Sequence, residues 1–212
     1  ILGYIFAQAL LKDFPGKSVF RTVHTLPLIM APIIVGSVWK LMTTPSVGII
    51  PYLLRSWFGF DLNIGNSAVA AFSITVIMDV WHWTPLVTLT LIAALVSLPA
   101  DPFEQAQIDG ASKSQIFWHV TLPLIAPALI ATVFIRLMDA LRTVDEVLML
   151  TGGGPGSATR YVGVHIFKEV FPRTNYGYGS AISCVVLYLT IVICWLLYVS
   201  FIAPRNKRGK SS

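Results

Sequence analysis

Long stretches of this chain are apolar and nearly free of charge, and the polar residues are gathered between them. Residues 178–203 contain no charged side chain, residues 22–39 contain only His24 and residues 80–100 only His82. A helix needs roughly 20 predominantly apolar residues to cross a bilayer, and several of these stretches reach that length. The pattern predicts full helices near 20–42, 68–98, 122–141 and 178–203. Residues 1–11 are apolar but too short to span, and read as the remainder of a helix whose start lies upstream. Pro27, Pro32, Pro85 and Pro127 fall inside the apolar stretches. In a membrane bundle, neighbouring helices can re-satisfy the carbonyls that a proline frees, so kinks are expected rather than helix ends.

Composition sharpens the class. Of 212 residues, 55% are hydrophobic and only 12% charged, and mean hydropathy is +0.73. A soluble domain of this size carries about twice that charge fraction. The expected fold class is therefore all-α and polytopic, with a transmembrane domain over residues 1–203 and a basic tail over 204–212. Cys184 and Cys194 lie in the last apolar stretch and read as small hydrophobes, with no metal-ligand cluster and no disulfide framework. Lys12, Lys17 and Arg21, and in the tail Arg205, Lys207, Arg208 and Lys210, mark the cytoplasmic side by the positive-inside rule. Alternation then places 43–67 outside, 99–121 inside and 142–177 outside. The net charge of +5 sits largely in loops, so it reports orientation and not nucleic-acid binding.

The inner segment 99–121 is the most informative part of the chain. Asp101 is an expected N-cap, with Glu104 three residues on as in a capping box. A short helix from Pro102 would end at Gly110, where a left-handed residue costs little. A second helical piece would start near Ser112. Ala106 and Ala111 are small enough to let a partner approach, and Phe103, Ile108 and Phe117 offer apolar knobs. Such a protruding helix suits docking into a groove of another protein.

Charges at membrane depth tend to face the bundle interior or a water-filled path. After the polar segment, Arg136, Asp139, Ala140, Thr143 and Glu146 share one broad helical face. Arg136 with Asp139, and Arg142 with Glu146, have the spacing to pair along the helix. Asp145 and Glu146 are expected in interfacial water beyond the helix end near Leu141. Before the segment, Asp79, His82, Trp83 and Leu86 recur at helical spacing, an aromatic beside hydrogen-bonding groups. The run Thr151, Gly152, Gly153, Gly154, Pro155, Gly156 lacks the Gly-Lys-Ser/Thr ending of a Walker loop and reads as a tight bend.

Glu104, Ala106 and Gly110, with Leu122 and Pro123 further on, match in residue type and spacing the coupling motif of bacterial ABC importer permeases. Gln105 and Val120 depart from it. Phe20, Arg21 and Thr22 with Leu26 and Pro27, the Leu150–Pro155 loop, and the run from Gly177 to Ala181 extend the resemblance over nearly the whole chain. The sequence resembles the carbohydrate-type permeases, the branch that includes the maltose permease. The resemblance implies a type I permease bundle whose cytoplasmic coupling helix, centred on Glu104, Ala106, Asp109 and Gly110, seats in an ATPase subunit. It implies a substrate path at Asp79, His82, Trp83, Leu86, Arg136, Asp139, Ala140 and Thr143. Those residue types differ from the asparagine- and aromatic-rich set of the maltose permease, which speaks against maltose itself but not against the class. The implied function is half of a translocation path for a di- or oligosaccharide, polyol or related solute. No Walker motif, catalytic set or metal site is present, so the chain is not expected to be an enzyme or to hold a cofactor, ATP being bound by partner subunits. Expected partners are a second homologous permease, two ATP-binding subunits, an extracytoplasmic solute-binding protein and the lipid bilayer. The expected location is a bacterial or archaeal plasma membrane, multi-pass, with the C-terminus cytoplasmic. The alternative class is an ion-coupled secondary transporter of a small polar solute. Such proteins usually carry inverted repeats, and none is visible here.

Overall fold

The uncharged stretches form helices, because within a bilayer only a helix or a closed barrel satisfies every backbone group internally. A computed structural model describes residues 1–201, among which there is no strand. The helices are α1 (Leu2–Leu11), α2 (Lys17–Ile29), α3 (Pro32–Thr43), α4 (Ile49–Phe58), α5 (Ala68–Val96), α6 (Asp101–Ile108), α7 (Lys113–Ile116), α8 (Leu122–Ala140), α9 (Asp145–Leu150), α10 (Val162–Val170) and α11 (Tyr176–Phe201). A π-helical turn, Phe117–Thr121, joins α7 to α8. The apolar run Lys113–Ala140 is therefore one continuous candidate span. Among the described residues, Ala68–Val96, Lys113–Ala140 and Tyr176–Ser200 are long and apolar enough to cross a membrane.

Three expectations change. The single helix near 20–42 is broken: α2 stops at Ile29 and α3 starts at Pro32, where the missing N–H falls in the first turn. The pair makes a fourth span only if counted as one. Pro32 thus opens a helix, whereas Pro27, Pro85 and Pro127 sit inside α2, α5 and α8. The segments 43–67 and 142–177 carry α4, α9 and α10, whose short apolar stretches were too brief to stand out as spans. The basic residues at 205–210 lie outside the described residues.

The chain divides into two compact units, each drawing on α5 and α8. In the first (Ile1–Ile29 with Trp83–Arg136), Ala7, Leu91 and Ile125 form the buried core. Gly3 permits α1 to approach α5 closely, since a Cβ there would stand 2.6 Å from Val87 Cγ1. His24 Nε2 meets Thr88 Oγ1 at 3.0 Å, tying α2 to α5. In the second unit (Met30–His82 and the chain from Leu137), Val35, Trp39, Leu62, Ile74, Met78 and Leu150 form the core. Here α3 rests on α9 through Gly36, whose missing Cβ leaves room for the Glu146 carbonyl and the Met149 side chain. Gly179, near the start of α11, is packed on Val170 of α10, as the small residues there predict.

Candidate functional site

The polar segment 99–121 is built by its caps. α6 starts at Asp101, and its N-cap is Ala100 with no side-chain hydrogen bond. The expected capping box at Asp101 and Glu104 is thus not formed, and both carboxylates lie in the first turn, where the helix dipole favours them. The box stands one element later: Ser112 Oγ accepts from the Gln115 N–H, and Gln115 Oε1 accepts from the Ser112 N–H. α6 ends in a Schellman motif. Gly110, at φ +72°, donates to Gln107 O at 3.1 Å, and Ala111 donates to Ala106 O at 2.9 Å. Glu104, Asp109 and Gly110 are exposed, Ala106 is half-buried, and α6 and α7 bury no residue. Ile108 is 85% exposed and Trp118 60% exposed. Ile108 at the end of the capped polar helix and Trp118 in the π-helical turn thus leave apolar surface to cover.

In the second unit, α5, α8, α9 and α10 surround a cavity of about 190 Å³. Thr75 and Asp79 reach it from α5, Ala140 from the end of α8, Thr143 and Glu146 from the turn into α9, and Tyr161 from the N-cap of α10. Glu146 is 3% exposed and His82 2% exposed. The His82 Nδ1 and Glu146 Oε1 atoms lie 2.6 Å apart, bridging α5 to α9. Glu146 Oε2 is buried and has no hydrogen-bond partner. Burial, and after it the negative charge of Asp79, raises the pKa of the Tyr161 phenol above its ordinary value. Tyr161 therefore stays protonated and keeps a hydroxyl donor.

The expected path residues are divided between the units. Asp79, Ala140 and Thr143 line the cavity, and His82 stands behind it on Glu146. Asp139, half-buried on α8, is not among the lining residues. Trp83, Leu86 and Arg136 belong to the first unit. There the Arg136 guanidinium lies over the Trp83 ring, 4.6 Å from its centre, a cation–π contact. Two expectations are corrected. Glu146 does not pair with Arg142 along the helix: the chain turns after Ala140, Arg142 is exposed, and Glu146 meets His82 instead. Nor does Glu146 sit in interfacial water, because α3 and α9 pack closely over it. Asp145 is exposed as expected. Sequence reasoning missed Thr75 and Tyr161 as lining residues, and the 64-residue separation of His82 and Glu146 carries no local signal.

A larger cavity of about 350 Å³ lies among α8, α10 and α11. Its lining is apolar apart from Arg142 and two hydroxyls, and Ser183 and Thr190 spend those on carbonyls of their own helix. It offers a hydroxylated solute little to bind. The glycine-rich segment is a tied turn. Thr151 and Thr159 share a hydrogen bond of 2.6 Å, Thr159 donates to Gly154 O, and Lys168 donates to Gly152 O.

Residues 3–208 match the family model described as binding-protein-dependent transport system inner membrane component. The chain belongs to that family. It is 39% identical over 198 residues to the trehalose/maltose transport system permease protein MalF of Thermococcus litoralis, covering 92% of this chain and 67% of that protein. To the trehalose transport system permease protein SugA of Mycobacterium tuberculosis it is 30% identical, covering 95% of this chain and 64% of the relative. It thus spans about two thirds of the length of these curated relatives. A solved bacterial ABC transporter that imports the acidic polysaccharide alginate has the same fold, with a TM-score of 0.82 at 19% identity, over 94% of this chain and 71% of that one. This permease is accordingly an all-α membrane component of an ABC importer, and its family is one of transport proteins and not of enzymes.

Proposed function

We propose that this permease forms half of the translocation path of an ATP-driven importer for a sugar, delivered by an extracytoplasmic binding protein. The observation that carries the reading is α6: an exposed, Schellman-capped helix that presents Ile108 outward, of the shape and chemistry that seats in another protein's groove. Two ATP-binding subunits supply that groove, and a second, homologous permease completes the path. ATP binding closes the ATPases and draws the coupling helices together, and the path switches from inward- to outward-facing. The likeness to permeases named for trehalose and maltose supports a disaccharide-sized neutral sugar. Substrate-stimulated ATP hydrolysis by the complex in proteoliposomes, measured across sugars, polyols and amino acids with the binding protein, tests the reading. Stimulation by amino acids alone would reject it.

Two further results are expected. Asp79 lines the cavity and Asp139 does not, which supports Asp79 ahead of Asp139 as the residue that meets a solute. Losing a hydrogen bond to a charged group costs about 1.5–3 kcal/mol, roughly tenfold or more in affinity. Asp79→Ala should therefore raise the KM of sugar uptake by about that factor, and more than Asp139→Ala does; the reverse ranking would remove Asp79 from the path. The basic residues at 205–210 and at Lys12, Lys17 and Arg21 support a cytoplasmic C-terminus. A single cysteine at Ser211 should react with an impermeant thiol reagent only after permeabilisation, and labelling of intact cells would invert the topology.

A further inference from the structure

The larger cavity, among α8, α10 and α11, has no part in the importer reading. It is a cleft between the end of α8 and the side of α11. On α11 it is lined by Ser183, Val186, Leu187 and Thr190, a single stripe at helical spacing. Met138, Leu141 and Arg142 face that stripe from the end of α8 and the turn after it. The floor is tight: a Cβ at Gly163 would stand 2.6 Å from Val144 Cγ2, so α10 lies directly against the turn that carries Arg142. α11 leaves the cleft open. From Ser180 to Ser200 it buries no residue within this chain, and Leu187 is 62% exposed. An empty gap between two helices forfeits the dispersion contacts of both walls, so in a bilayer something apolar fills it.

The chemistry of the cleft defines the occupant. Its polar need is confined to one point. Ser183 donates to Gly179 O and Thr190 to Val186 O, both within α11, which leaves Arg142. Arg142 is exposed, and among the described residues it makes no ion pair. It stands two residues beyond the end of α8, at a level that suits a headgroup. A guanidinium can hold a phosphate through two parallel hydrogen bonds. Size and depth suit a hydrocarbon chain. From Ser183 to Thr190 the lining runs about 10 Å along α11, which fits within the roughly 15 Å of hydrocarbon in one leaflet. Another transmembrane helix, about 10 Å across, would need roughly 800 Å³ over that length. The cleft holds about 350 Å³.

We propose that this cleft binds one membrane phospholipid: Arg142 holds the phosphate, and one hydrocarbon chain lies between α8 and α11 against Met138, Leu141, Val186 and Leu187. The lipid then supplies packing between α8 and α11 that the chain itself does not. The proposal goes beyond the importer reading and is independent of the solute carried.

The test uses the permease in the complex in which it is isolated, reconstituted into phosphatidylcholine vesicles. Two probes are added at the same trace fraction: phosphatidylglycerol with a diazirine in one chain, and diacylglycerol with the same chains and no phosphate. After irradiation, mass spectrometry gives the ratio of adducts on Met138, Val186 and Leu187 to adducts on Val185, Tyr188 and Leu189. The second set is exposed on the other face of α11 and reports bulk lipid. The ratio is expected to be severalfold higher for phosphatidylglycerol than for diacylglycerol. Arg142→Gln should bring it down to the diacylglycerol value and leave labelling of the other face unchanged. Leu187→Trp, which fills the cleft, should remove the adduct on Met138. Equal ratios for the two probes would overturn the proposal, since the chain would then enter without its phosphate. So would an unlabelled cleft beside a labelled outer face, which would mean that a neighbouring protein covers it. An unchanged ratio in Arg142→Gln overturns the role of the arginine. Should that variant not assemble, the two probes on the unsubstituted complex still decide. Failure of sugar uptake would count against the importer reading and leave this result standing.

Discussion

Gly110→Val is expected to sever ATP hydrolysis from uptake. Gly110 sits at φ +72° and closes the Schellman motif at the end of α6. A β-branched residue is a steric outlier in that region, at a cost of about 1–3 kcal/mol. Nothing lies within 4 Å of where a Cβ would be built, so the strain is in the backbone and not in a clash within the chain. It falls on an exposed segment that buries no residue, and insertion of the spans should proceed as before. What changes is the exit of α6, and with it the aim of Ile108 and Asp109 toward the proposed ATPase partner. Since 1.4 kcal/mol is a factor of ten, uptake and its stimulation of hydrolysis should both drop by at least about tenfold in the reconstituted complex. Gly110→Asn separates backbone from contact, because asparagine tolerates the left-handed region. It should retain much of the coupling that valine loses. Full transport by the valine variant would dismiss α6 as the coupling helix.

The second large effect is on stability. Gly36→Val should lower the folded yield and the Tm of the purified protein, and Gly36→Ala should already do so. Any Cβ at position 36 runs into the main-chain oxygen of Glu146 and comes to 2.8 Å from Met149 Cβ. Overpacking typically costs about 1–3 kcal/mol, and an obstacle made of main chain has little room to yield. The displaced element is α9, which carries Glu146 against His82, so damage to packing becomes damage to the cavity. Gly177 is the control. It lies in α11 with nothing within 4 Å, and alanine there should be neutral or gain about 0.5–1 kcal/mol from helix propensity. Thermal unfolding in detergent compares the two; an unshifted Tm for Gly36→Ala would show that α3 and α9 are not closely packed in the membrane.

The class, three of the spans and the cap glycine were determined by the sequence, because each depends on a local property. Uncharged length decides whether a helix can cross, and α5, the α8 run and α11 follow from it. Spacing carried the short capped helix of the polar segment, since Ala106, Asp109 and Gly110 lie within one helical turn and its cap. The segment's N-terminal chemistry was legible only in type: Ser112 and Gln115 form the capping box, one element later than Asp101 and Glu104. Tertiary structure decided the rest. The break between α2 and α3 joins two apolar pieces that hydropathy cannot tell from one span. Whether Glu146 faced water or a cavity depended on α9 folding under α3 through Gly36, a contact more than a hundred residues apart in the chain. Its partner His82 is likewise on another helix, 64 residues away. A charged side chain near a helix end has the same local sequence whether it is solvated or buried. Only the elements packed around it, brought from distant parts of the chain, determine which.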